Sequence, residues 1–182
     1  MVQKGLVLIN TGNGKGKTTA ALGVAFRAWG DGQRVLILQF IKGAWKYGEL
    51  EAVKALGEGN GRIEIRPMGD GFVFHNKGED NAAYEEKKKK AQAAWKVVEE
   101  EVMSDKWDLV ILDEINYAIH FGMVDTAAVT ALIEKKPERL NLIFTGRYAP
   151  QELIDLADTV TDMTIVKHAY EKGIKARKGI EF

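Results

Sequence analysis

Cysteine is absent from the 182-residue chain, which excludes disulfides, thiolate metal sites and cysteine nucleophiles together. Histidine is scarce: His75, His120 and His168 stand far apart, without the short spacings of a zinc site. Three prolines and no Pro/Ser-rich stretch leave no linker to cut, so residues 1–182 are expected to form one domain. Net charge is missing as well. Lys+Arg and Asp+Glu both number 26, so no broad basic field draws the molecule to nucleic acid or an anionic membrane. No apolar run approaches the roughly 20 residues of a membrane span. The first 12 residues lack the length and cleavage site of a signal peptide, and a cytoplasmic location is expected. Hydrophobic residues at 46% and charged residues at 29% exclude global disorder. A chain of this length buries roughly 70% of its unfolded surface and folds without a staple.

Short apolar runs alternate with longer helical patterns. Residues 5–10 (GLVLIN), 35–40 (VLILQF), 109–112 (LVIL) and 140–145 (LNLIFT) are runs suited to strands buried on both faces. Residues 62–66 and 160–166 alternate and predict two more strands. Helices are expected over 17–29, 47–56, 80–103, a short segment after 114, 125–134 with Asp125 as N-cap, and 150–157. Residues 68–76 form a glycine-punctuated loop. The run of four lysines at 87–90 is balanced by Glu85, Glu86 and Glu99 to Glu101, and marks a solvated helix face. This order predicts an α/β fold with a mostly parallel central sheet and helices on both faces. Ligands of such sheets bind at the carboxyl ends of the strands.

The strongest signal is Thr11-Gly12-Asn13-Gly14-Lys15-Gly16-Lys17-Thr18-Thr19, between the first strand and the first helix. That context is the one a Walker A-type phosphate loop requires. Its glycines let backbone N–H groups turn toward phosphate oxygens, and the helix N-terminus adds partial positive charge. Lys17 can reach terminal phosphate oxygens, and the Thr18 hydroxyl can ligate Mg²⁺. Thr11 stands where the usual pattern has its first glycine; Lys15 is an extra cation, free to touch phosphate or to stay solvated. A second signal is Asp113-Glu114 after the run 109–112, a strand end that delivers carboxylates to Mg²⁺ directly or through water. A third is Arg147 in Thr145-Gly146-Arg147, which can offer bidentate donors to a triphosphate. These residues imply binding of a nucleoside triphosphate with Mg²⁺, and leave hydrolysis, phosphoryl transfer or a less common reaction open.

The sequence resembles the phosphate-loop corrinoid adenosyltransferases (ATP:cob(I)alamin adenosyltransferases) over nearly its whole length. The resemblance rests on residues 11–19, Gln39-Phe-Ile-Lys-Gly43, Gly48-Glu49, Gly71-Phe72, Leu112-Asp-Glu114, Thr145-Gly-Arg147, Leu156-Ala-Asp158, Val160-Thr161 and the tail Val166-Lys-His168 through Gly179-Ile-Glu-Phe182. It implies a RecA-like phosphate-loop NTPase fold. It also implies transfer of the 5′-deoxyadenosyl group of ATP to Co(I) of a reduced corrinoid, with triphosphate as leaving group, in adenosylcobalamin synthesis or salvage. ATP would lie in the reverse of the usual sense, presenting its 5′-carbon. Co(I) is itself a strong nucleophile, so no general base is needed. Lys17 and Arg147 would then be catalytic. Phe72 and Phe74 would push the lower axial ligand off cobalt so that Co(II) can be reduced; a relative carries Trp at the place of Phe74. Thr11 to Thr19 and Arg147 would hold ATP, and Thr18 with Asp113 or Glu114 would hold Mg²⁺. A homodimer and a transient flavoprotein-type reductant are implied. Some relatives begin with a segment of about twenty residues that covers the site, so a lid here is expected from elsewhere, such as a partner subunit, or is absent. The competing readings are a small phosphate-loop kinase or ATPase, and a non-catalytic, nucleotide-gated corrinoid carrier.

Overall fold

The computed structural model describes residues 4–42, 47–69 and 81–181, with the backbone alone at 81–83. Six strands, β1 (Val7–Thr11), β2 (Val35–Gln39), β3 (Ile63–Pro67), β4 (Leu109–Asp113), β5 (Asn141–Thr145) and β6 (Thr159–Asp162), form one sheet in the order β3-β2-β4-β5-β1-β6. All five pairings are parallel. The helices are α1 (Lys17–Gly30), α2 (Gly48–Gly57), α3 (Asn81–Met103), α4 (Ile115–His120), α5 (Thr126–Lys135) and α6 (Gln151–Leu156), followed by a 3₁₀ turn at Ala169–Lys172. The α/β architecture and the parallel sheet are as expected. β5 lies between the strand that feeds the phosphate loop and the strand that ends in the acids.

Strand side chains point alternately to the two faces. Val7, Ile9, Leu36, Leu38, Val110, Leu112, Leu142 and Phe144 pack with Trp95, Val98 and Val102 of α3, with α4 and α5, and with Leu153 of α6. On the opposite face Val35, Ile37, Leu109, Ile111 and Ile143 meet Ala21, Ala25 and Ala28 of α1 and Val53 of α2. The alanines lie along one stripe of α1 and let its backbone approach the sheet closely. β2 and β4 are buried throughout, as continuous apolar strands in the middle of a two-layered cover should be. Pro67 is tolerated because β3 is an edge strand, where a missing N–H breaks no ladder.

Two expectations change. The strand expected over 160–166 is only Thr159–Asp162, and every residue in it is exposed. It is an edge strand whose single neighbour, β1, ends at Thr11 opposite Asp162, so pairing stops there. The strand expected to be buried over 5–10 begins only at Val7, and Leu6 just before it is 46% exposed. Phe72 and Phe74 lie outside the described residues.

Candidate active site

The phosphate loop joins β1 to α1 at the carboxyl edge of the sheet. Gly16 is the N-cap residue at φ 108° and makes no side-chain cap, so the first-turn N–H groups of α1 find no acceptor within the helix. No acid occupies that turn. Lys17 folds back across the loop, and its Nζ donates to the carbonyl oxygens of Gly12 (2.7 Å) and Gly14 (2.6 Å). Burial lowers its pKa; the Glu114 carboxylate works the other way and the Arg147 charge reinforces the lowering. The loop also leans on the segment after β6. The Gly14 N–H donates to Met163 O at 2.5 Å, and Met163 N–H donates to Thr11 O at 2.9 Å. A Cβ on Gly12, at φ 93°, would stand 2.0 Å from Asp162 Oδ1 and 2.6 Å from Met163 O. Only glycine fits there, whatever the loop binds. Lys15 points outward and is 3.6 Å from Glu181 Oε1.

Asp113, at the end of β4, is fully buried and saturated with donors. The hydroxyls of Thr18 (2.8 Å) and Thr145 (2.7 Å) donate to its Oδ1, and Gln39 Nε2 donates to Oδ2 at 3.1 Å. Lys42 Nζ lies 3.6 Å from the same Oδ2 and 2.6 Å from Glu49 Oε1, over the Tyr47 ring at 4.8 Å. Burial acts against the Lys42 charge, but Asp113 and Glu49 outweigh it and hold its pKa above the ordinary value. Glu114 is different. Its backbone is left-handed (φ 62°, ψ 20°), it precedes α4, and its side chain makes no cap. Its Oε2 is buried without a hydrogen-bond partner among the described residues. Burial, with Asp113 adding repulsion, pushes its pKa up to about 7 against the pull of Lys17, Lys42 and Arg147. A buried carboxyl oxygen left without a partner is costly, and Glu114 does not use it to cap α4.

β5 delivers Arg147 to the same rim. Gly146 (φ 123°) passes so close to α4 that a Cβ would stand 3.2 Å from Glu114 Oε2 and from Tyr117 N. Asn116, fully buried, donates from Nδ2 to Gly146 O at 3.1 Å, and Glu114 N–H donates to Thr145 Oγ1 at 2.9 Å. Arg147 is half-buried and acts electrostatically on both Lys17 and Glu114. The structure thus brings together Lys17, Thr18, Asp113, Glu114 and Arg147, all expected from the sequence. It gives contacts to Gln39, Lys42 and Thr145, which the sequence marked only as parts of the Gln-Phe-Ile-Lys-Gly and Thr-Gly-Arg segments, and adds Asn116, which no motif marked.

The donor set suits a hard divalent ion: hydroxyl and carboxylate oxygens, with no sulfur or imidazole. Among the described residues no group of three or more His, Asp or Glu could enclose a metal alone. An ion here would therefore complete its shell with phosphate oxygens and water, as Mg²⁺ does.

Residues 3–182 match the model of the ATP:corrinoid adenosyltransferase BtuR/CobO/CobP family. The chain belongs to this family. A corrinoid adenosyltransferase of Pseudomonas aeruginosa is 39% identical over 180 residues, covering 99% of this chain and 85% of the relative. Those of Escherichia coli and Salmonella typhimurium are 35% and 36% identical over 182 residues, covering 99% of this chain and 87% of each relative. Among solved structures, a KaiC-like protein from Pyrococcus horikoshii is 19% identical with a TM-score of 0.49, over 91% of this chain and 75% of its own. Family membership gives the buried Gln39 and Lys42 a context, since both fall in the Gln-Phe-Ile-Lys-Gly segment that marked the resemblance. In this corrinoid adenosyltransferase family member Gln39 and Lys42 of that segment both stand against Asp113.

Proposed function

We propose that this enzyme transfers the 5′-deoxyadenosyl group of ATP to Co(I) of a reduced corrinoid and releases triphosphate. The observation that carries the reading is the convergence of Lys17, Thr18, Asp113, Glu114 and Arg147 on one rim of a chain whose family is ATP:corrinoid adenosyltransferases. The C5′–O bond breaks, the Co–C5′ bond forms, and the electron pair of the broken bond leaves with triphosphate. No general base is required because Co(I) supplies the attacking pair. What the protein supplies is alignment and charge. Lys17, the first-turn N–H groups of α1 and Arg147 offset the charge that grows on the leaving oxygen. Mg²⁺, held by Thr18 with Asp113 or Glu114, would lend further positive charge to the phosphates.

The donor-saturated Asp113 favours a division of labour. Thr18 donates its proton to Asp113 and keeps its lone pairs for the ion, while Asp113 acts through Thr18 and through water. Glu114, with a free oxygen, is the acid available for direct contact. Phe72 and Phe74 are assigned the displacement of the lower axial ligand, by family resemblance alone. Residues 1–182 act as one unit in this reading, in the cytoplasm, as a homodimer served by a transient flavoprotein-type reductant.

The test is the product formed from ATP, Mg²⁺ and chemically reduced cobalamin. Triphosphate and adenosylcobalamin in equal amounts are expected. ADP would instead mean a kinase or ATPase, and binding without turnover a carrier.

A further inference from the structure

Four rings gather beside Arg147. His120 and Tyr148 stack at 4.2 Å between centroids, with 27° between their planes. Tyr117 meets Tyr148 edge-on at 5.7 Å and 65°. Phe121 backs Tyr117 at 5.3 Å and His120 at 5.1 Å. Tyr148 is held by the stack on His120 and the edge contact with Tyr117, yet 48% of it is exposed. Its backbone is left-handed, at φ 62°. That region is costly for a bulky side chain, and such residues persist where the surrounding structure over-determines them, often at ligand sites.

The chain on either side of Tyr148 runs into the proposed ATP site. Arg147 precedes it, and Gly146 before that is tied down by Asn116. Ala149 follows, and its N–H donates to Thr11 Oγ1 at the start of the phosphate loop, at 3.3 Å. Successive Cα atoms are about 3.8 Å apart, so the ring springs from a point within two residues of both contacts.

We propose that Tyr148, braced by His120, is the stacking platform for the adenine base of ATP. The inference deepens the adenosyl-transfer reading and rests on it for the nucleotide. A base is tethered to its triphosphate through one ribose, so a platform beside the triphosphate-holding residues falls within its reach. The exposed part belongs to a single ring, which matches a nucleobase; a corrin macrocycle is far broader. Any base presents a π-face to such a ring, so the platform contributes affinity without reading hydrogen bonds.

Calorimetric titration with Mg²⁺–ATP and, separately, with Mg²⁺–triphosphate tests this directly. Tyr148→Ala should weaken ATP about 5- to 100-fold, the range for loss of one base–aromatic stack. Tyr148→Phe should bind ATP within about twofold of the parent, since the π-face is kept. Tyr148→Gly adopts the left-handed backbone without strain, so it should stay folded and still lose ATP affinity as Tyr148→Ala does. Triphosphate affinity should be unchanged in all three. Unchanged ATP affinity in Tyr148→Gly overturns the proposal. So does a parallel loss of ATP and triphosphate, which would mean that the residue shapes the loop. So does a rise in KM for cob(I)alamin alone, which would assign the ring to the corrinoid. Failure of the adenosyl-transfer reading is read independently, as ADP in place of triphosphate from the unmodified enzyme.

Discussion

Lys17 bridges two carbonyls of its own loop, at 2.7 and 2.6 Å, and so waits where phosphate oxygens would take over its hydrogen bonds. Lys17→Ala should stay folded and lose about 10²–10³-fold in turnover, the usual cost of one charge-stabilising contact in the transition state; steady-state assay beside a thermal melt checks both. Glu114 yields a pH prediction. Its folded pKa, about 7, lies above the unfolded value, so the native state holds the extra proton between roughly pH 4.5 and 7. This contribution to stability is fully present below the unfolded pKa and is lost as pH rises through 7, by on the order of 3 kcal/mol. Glu114→Gln, which stays neutral, should therefore be the more stable protein at pH 8 without ligand, and the two should converge toward pH 4; denaturant melts across that range decide it. Lys17, Thr18 and the acids were legible because each sits in a local pattern that chemistry requires. Asn116 was not, and Gln39 and Lys42 were marked by the family resemblance without their partners. Gln39 meets Asp113 across 74 positions, and Asn116 meets Gly146 across 30; such pairings exist only once the strands are in register.

The elements were readable where burial is two-sided or where a cap announces a start. Asp125 does so for α5: its Oδ1 accepts from Ala127 N–H at 3.0 Å. Asp125→Ala should cost about 1 kcal/mol, a fall of roughly 2–4 °C in Tm for a chain of this size. Turnover at 25 °C should be unchanged, because α5 contributes nothing to the rim of the site. β6 was the hard case. Alternation over 160–166 resembles a half-buried strand, but alternation records only which residues share a face. It says nothing of where a neighbouring strand ends, and β1 ends at Thr11. The segment then serves the site differently from a strand, through the Met163 carbonyl on the Gly14 amide. α4 is six residues long, and it matters less as a helix than as the element that turns Glu114 and Asn116 toward β5.

Among the described residues, six of the eleven exposed large apolar side chains fall in one short stretch of chain. Val160, Ile165, Val166, Tyr170, Ile174 and Ile180 all lie in the last 23 residues, with Val166 97%, Tyr170 80% and Ile180 71% exposed. Single exposed apolar residues are ordinary, but a large contiguous patch of them marks a surface that pairs with something. In the proposed homodimer this segment is the natural contact, and it is also the one that leans on the phosphate loop through Met163 and Glu181. Assembly and nucleotide binding would then be coupled through the same stretch. Sedimentation of the unmodified protein should report a species of twice 20.2 kDa, falling toward the monomer on dilution. Val166→Asp with Tyr170→Asp should shift that equilibrium to monomer and leave the helical signal and the melt of the α/β body nearly intact, because neither side chain packs in the core. Monomer at every concentration in the unmodified protein would remove the homodimer. A dimer that survives both charges would place its interface elsewhere, on the α1 side of the sheet, where Leu6 and Phe26 are exposed by 46% and 62%.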